Sequence, residues 1–131
     1  PEVEKYWKKR HTYFQLFDHG IAVDKEGLYS VAPEVDALRL GFDIPNGKTY
    51  VLDAFCGVGG NAIGLARAGK TVVTVDNCLE RLEKARHNAK LYGVENRIEF
   101  VHSDVENFLA NTSRTFDAIH FDPPWGGVSY S

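Results

Sequence analysis

TYVLDAFCGVGGN, residues 49–61, runs an apolar stretch into an acid and then into three glycines within four positions. An apolar run this short, closed by an acid and a glycine turn, predicts a buried strand feeding a tight loop. Beyond the loop the period changes. AIGLARAG (62–69) predicts a helix ended by Gly69, and TVVTVD (71–76) a second strand. CLERLEKARHNAKLYG (78–93) predicts a long helix ended by Gly93, and RIEFVHSD (97–104) a third strand. VENFLAN (105–111) predicts a short helix and FDAIHFD (116–122) a fourth strand. Strands that alternate with helices and are apolar on both faces belong in a parallel sheet covered on both sides. The expected fold class is α/β, a doubly wound parallel sheet over residues 46–131, preceded by an N-terminal helical extension over 1–45.

In that extension, EKYWKKRHTYFQLF (4–17) carries large apolar groups at 6, 7, 13, 14, 16 and 17, the pattern of an amphipathic helix that docks on a neighbour. DHG then stops it, and residues 18–32 read as loop. APEVDALRLGF (32–42) predicts a short helix with Pro33 in its first turn and Gly41 near its end, and IPNGK (44–48) a turn.

Composition bounds the function. A chain of 131 residues with 44% hydrophobic and 25% charged residues has the balance of one globular domain and not of a disordered or membrane protein. No apolar run approaches the ~20 residues of a bilayer span, so no membrane partner is expected, and no charged-then-apolar leader stands at the front. A chain without methionine that starts at Pro1 is expected to be a piece of something longer. Cys56 and Cys78 lack CxxC or histidine spacing, which points to reduced, packed thiols and to no metal site. The net charge of −3 argues against a general polyanion binder. KYWKKRH (5–11) is nonetheless a local basic patch, which could meet phosphates or simply be a solvated helix face.

A doubly wound sheet binds its ligand beyond the carboxyl ends of its strands, where the strand order reverses. Asp53, Asp76, Asp104 and Asp122 fall at four successive strand ends. Any one of them could be a helix cap or turn former; their recurrence points to a ligand. Gly57, Gly59 and Ala62 also satisfy the dinucleotide spacing G-x-G-x-x-G/A. Asp53, however, stands four residues before the first glycine, where a carboxylate would repel a pyrophosphate and suits the ammonium of an amino acid. The helix N-terminus behind the loop can then take that amino acid's carboxylate. An amino acid joined to a nucleoside is S-adenosyl-L-methionine, the expected cofactor.

DAFCGVGGN, VDN, HSD and DPPW, in this order, resemble the motifs of Rossmann-like class I methyltransferases that modify an exocyclic amine, whose signature is [DNS]-P-P-[YFW]. More narrowly, the block from Lys5 to Glu34 followed by VLDAFCGVGGN and FDPPWGG resembles the trimethylguanosine synthase family, the enzymes that hypermethylate the 7-methylguanosine cap of small nuclear and nucleolar RNAs. The likeness extends over nearly the whole chain. DPPW marks the wider class, and the N-terminal block with FCGVGGN is the more discriminating part.

The resemblance implies methyl transfer to the N2 amine of a capped RNA, and nuclear residence. It assigns Asp53, Gly57, Gly59 and Gly60 to the methionine end of the cofactor site, Asp76 to the ribose hydroxyls, and Asp104 with the Val105 backbone to the adenine. Phe55 belongs to the same loop, with its ring expected in the core more than on the ligand. Asp122, Pro123 and Trp125 become the catalytic group. A guanine N2 lone pair is delocalised and weakly nucleophilic, so the reaction needs placement more than acid or base strength. The Asp122 carboxylate and Pro123 carbonyl can accept the two N–H bonds of the amine, the ionised acceptor making the stronger bond. Pro123 and Pro124 each fix φ and remove a donor, which stiffens the strand end. Trp125 offers a face on which a base made cationic by N7 methylation stacks. Lys5 and Tyr130 are expected to face the cap phosphates. An amine with two methyls has no N–H left to donate, so two rounds are the limit.

The chain departs from the family pattern in two residues and in length. Ala32 stands where relatives often carry Thr, and Asp122 where some carry Ser. Four strands are expected here against seven in the family, so a longer catalytic domain or another chain is expected to supply the missing C-terminal half. Two other readings remain: another nucleobase amino-methyltransferase, on DNA adenine or ribosomal guanine, or a cap- or cofactor-binding module without turnover.

Overall fold

The computed structural model describes residues 9–22 and 34–121. In chain order these form helix α1 (Arg10–Tyr13), a 3-10 turn (Phe17–His19), α2 (Glu34–Asp43), β1 (Tyr50–Asp53), α3 (Gly60–Arg67) and β2 (Thr71–Asp76). They continue through α4 (Leu79–Leu91), a second 3-10 turn (Glu95–Arg97), β3 (Ile98–His102), α5 (Val105–Asn111) and β4 (Ala118–His120). The four strands make one parallel sheet in the order β3-β2-β1-β4. The chain thus moves outward from β1 through β2 to β3 and returns to the other side of β1, so the order reverses between β1 and β4.

Alternation along the strands feeds two cores. Val51, Val72 and Ile98 meet Ala62, Leu65 and Ala66 of α3 and Ala89 of α4 on one face, while Leu52, Val73 and Val75 meet Val105, Phe108 and Phe116 on the other. Apolar cover on both faces, expected of every strand, is complete only for the central pair. β3 has one buried residue and β4 none, with Ile119 54% exposed, because the helices centre on β1 and β2.

The extension differs from its expected single helix. Within the described part, α1 ends at Tyr13 and Phe14 is extended, with φ −141° and ψ 115°. Asp18 closes the break: its carboxylate accepts from Arg10 Nε at 2.8 Å and lies 2.7 Å from His11 Nε2. Eight residues of helix would separate such partners by about 12 Å along the axis, so the chain must turn back for them to meet. The turn leaves Phe14, Phe17 and Ile21 buried in the α3 side of the core.

Gly41 falls near the end of its helix, as expected, and does more than mark that end. It lies inside α2, where a Cβ would stand 2.5 Å from Ala68 Cβ, and Gly64 on α3 faces Ala37 as closely. The two glycines let α2 and α3 approach almost backbone to backbone. No helix among the described residues is long and apolar enough to cross a membrane.

Candidate functional site

The loop after β1 is fastened from several sides. Ala54 N–H donates to the His120 carbonyl of β4 at 3.0 Å, and Cys56 N–H to the Val75 carbonyl of β2 at 2.9 Å. Gly57 N–H donates to Asp76 Oδ2 at 3.0 Å. Gly57 and Gly59 adopt φ of +54° and +96°, which side-chain-bearing residues avoid. A Cβ on Gly59 would also stand 3.1 Å from Ala85 Cβ on α4, whereas one on Gly57 would meet nothing within 4 Å. The loop is therefore packed on α4 and open beside Gly57. Gly60 is the first residue of α3.

Three of the four strand-end acids lie at the carboxyl edge of the sheet. They do not share one row: Asp53 pairs in register with Thr74, and Asp76 with His102, so Asp76 stands two residues further along. Asp53 is 1% exposed and accepts from Thr74 Oγ1 at 2.9 Å. Asp76 is 7% exposed; Oδ1 accepts from Cys78 N–H at 2.9 Å while Oδ2 serves Gly57. Asp104, exposed, follows β3 and caps α5 by accepting from Glu106 N–H at 3.2 Å. The capping role weighed for a lone acid is thus one that Asp104 does perform. Val105 is buried beneath it as the first residue of α5.

Phe55 is half-buried, packs against the α5-side core, and stands edge-on to Phe121 with ring centroids 5.2 Å apart. The glycine loop therefore touches the residue that leads into DPPW. Asp122, Pro123, Pro124, Trp125, Tyr130, Lys5 and Ala32 lie outside the described residues. Cys56 is no nucleophile: burial, and then the Asp53 charge, push its thiol well above its usual pKa. Both cysteines are free.

Two residues that sequence reasoning passed over belong to this region. Thr74 is the buried donor to Asp53, and Asn88 on α4 donates from Nδ2 to the Val58 carbonyl of the loop at 2.9 Å. Asn88 had a signal, since it interrupts the apolar stripe of Leu82, Ala85 and Ala89 with a carboxamide.

A parallel sheet that reverses between β1 and β4, with a glycine loop and acids at its carboxyl edge, is the fold of the S-adenosylmethionine-dependent methyltransferases. A methyltransferase of this kind from Agrobacterium tumefaciens superposes with a TM-score of 0.61 at 26% identity, over 69% of this chain and 31% of that one. A tRNA (uracil-54, C5)-methyltransferase from Pyrococcus abyssi, solved with S-adenosyl-L-homocysteine, does so at 0.54 and 32% identity, over 70% of this chain and 22% of that one. Residues 48–131 match the sequence profile of the RNA cap guanine-N2 methyltransferases, and the chain belongs to that family. Trimethylguanosine synthases of Schizosaccharomyces pombe and Saccharomyces cerevisiae are 33% and 34% identical to it, over 98% and 96% of its length. The chain spans about half the length of these relatives, 56% of the first and 42% of the second.

Proposed function

We propose that the protein transfers methyl groups from S-adenosyl-L-methionine to the N2 amine of a 7-methylguanosine RNA cap. The reading is supported chiefly by one juxtaposition: Asp53, Gly57 and Asp76 gather at the carboxyl edge beside β1, and Phe121, one residue before DPPW, meets Phe55 of the same loop. The donor set fits the cofactor. Each Asp76 oxygen accepts one backbone N–H and keeps a second lone pair for a ribose hydroxyl. Asp53 would face the ammonium and Gly57, Gly59 and Gly60 the methionine end, with open space beside Gly57. Asp104 would accept from the adenine amine, and the Val105 N–H, which has no partner within its helix, would donate to the ring. The cofactor supplies a methyl already activated on a sulfonium.

The substrate half of the proposal falls to Asp122 and Pro123 as acceptors of the two amine N–H bonds, Pro124 as stiffener, Trp125 as stacking face, and Lys5 and Tyr130 as phosphate contacts. Two N–H bonds permit two transfers, giving 2,7-di- and then 2,2,7-trimethylguanosine. Nuclear residence and small nuclear or nucleolar RNA substrates are the finer part of the same proposal. The greater length of the relatives supports further polypeptide in the whole protein, and the exposure of Ile119 on β4 and of Phe121 just after it offers apolar surface for it to cover.

The full-length protein with labelled S-adenosylmethionine should methylate 7-methyl-GTP and leave GTP untouched. Equal transfer to both would overturn cap selectivity and favour another amine substrate. Binding of both ligands without product would make the protein a binding module.

A further inference from the structure

We infer that Asn88 is a positioning residue that fastens the Gly20–Ala22 segment to the glycine loop, so that docking of this segment and cofactor binding are coupled; the inference rests on the cofactor reading above. Asn88 is fully buried in the last turn of α4, and its carboxamide joins two stretches distant in sequence. Oδ1 accepts from Ala22 N–H at 2.7 Å, and Nδ2 donates to the Ala22 carbonyl at 2.8 Å and to the Val58 carbonyl at 2.9 Å. The pattern fixes the amide's orientation, since a flipped carboxamide would set donor against donor and acceptor against two acceptors. One residue earlier, His87 Nε2 lies 2.7 Å from the Gly20 carbonyl, so α4 holds this segment at both residues.

The bond to Val58 is the one that reaches the site. Gly57 N–H is fixed by Asp76 and the Val58 carbonyl by Asn88, so two peptides of the loop, with one between them, are held by β2 and by α4. Gly59 lies against Ala85, one turn before Asn88, where a side chain would not fit. Without the Asn88 donor the Val58 carbonyl must turn to find another, and the neighbouring N–H groups turn with it. Coupling of this kind is reciprocal: a cofactor that orders the loop must also hold the Gly20–Ala22 segment more firmly.

The test uses the full-length protein and S-adenosyl-L-homocysteine. Amide exchange over residues 20–22 should slow when the ligand binds. Asn88→Asp keeps the size and the acceptor for Ala22 N–H but sets oxygen against two carbonyls. It should weaken the ligand by about tenfold or more and abolish the added protection. His87→Ala loosens the same segment at Gly20 but leaves the bond to Val58, and should weaken the ligand by less than Asn88→Asp, about two- to threefold. Unchanged exchange over 20–22 in the liganded parent overturns the inference, even if Asn88→Asp fails to fold. So does an Asn88→Asp protein that binds like the parent. A parent that binds no ligand at all overturns the cofactor reading as well, which separates the two failures.

Discussion

Thr74 Oγ1 donates to Asp53 Oδ2 at 2.9 Å across the register pair that joins β1 to β2, where the carboxylate is 1% exposed. A buried carboxylate without donors is costly, so this hydroxyl is part of what keeps an acid inside the sheet edge. Thr74→Val keeps the shape and removes the donor. It is expected to lower stability by about 1–3 kcal/mol, read from urea unfolding, and to weaken S-adenosylmethionine in calorimetry. Thr74→Ser, which restores the hydroxyl, should recover most of both.

Tyr92 gives a pH signature on the other side of the molecule. Its hydroxyl donates to Glu34 Oε1 and accepts from Leu16 N–H at 3.1 Å, tying the extension to α2 and α4. Burial, and then the Glu34 carboxylate, push the phenol pKa from 10.0 up to about 12. A raised folded-state pKa favours the neutral phenol, so its stabilising effect is full below pH 10.0 and is lost as pH climbs to about 12. Tyr92→Phe should be less stable at neutral pH and lose less stability over that alkaline interval. Urea midpoints across the interval check it, and parallel curves for parent and variant would count against the role given to Tyr92.

The contact between α2 and α3 yields a sharper packing prediction. A Cβ on Gly64 would lie 2.5 Å from the Ala37 carbonyl carbon and 2.6 Å from Ala37 Cβ, and backbone cannot rotate aside. Gly64→Ala is expected to cost about 1–3 kcal/mol or more in chemical denaturation. Gly47→Ala, where a Cβ meets nothing within 4 Å, should be neutral or stabilising by up to about 1 kcal/mol.

How far the sequence speaks depends on whether the deciding interaction is local. The strands TVVTVD and IEFVH and the helix VENFLAN fall where period and punctuation put them, because short apolar runs between glycines and caps leave little choice. The acids at the carboxyl edge were legible for the same reason. The break after Tyr13 was not, since it depends on Asp18 reaching back to Arg10 and His11. Gly41 falls near the end of α2 as expected, but its second role, admitting a neighbouring helix, was not legible, because only Ala68 opposite it reveals the close approach. Asn88 stood out as a carboxamide in an apolar stripe, but its role was not legible, because its three bonds reach Ala22 and Val58 in two distant stretches of chain.

The substrate half of the proposal stands or falls on Trp125. Phe121, the residue after β4 and before DPPW in sequence, is 60% exposed and edge-on to Phe55 of the glycine loop. A cation stacked on an aromatic face gains roughly 0.5–2 kcal/mol over a neutral base of the same shape. That difference corresponds to about 2- to 30-fold in affinity between 7-methyl-GTP and GTP. Trp125→Ala should remove the difference, bringing the two nucleotides to similar, weak affinity while S-adenosylmethionine binds as in the parent. Fluorescence titration with each nucleotide reads the first effect and calorimetry the second. A variant that still preferred the methylated nucleotide by the parent's margin would mean that the positive charge is recognised by another group, such as the carboxylate of Asp122 in the same motif. An Asp122→Asn variant would then lose the preference that Trp125→Ala had kept.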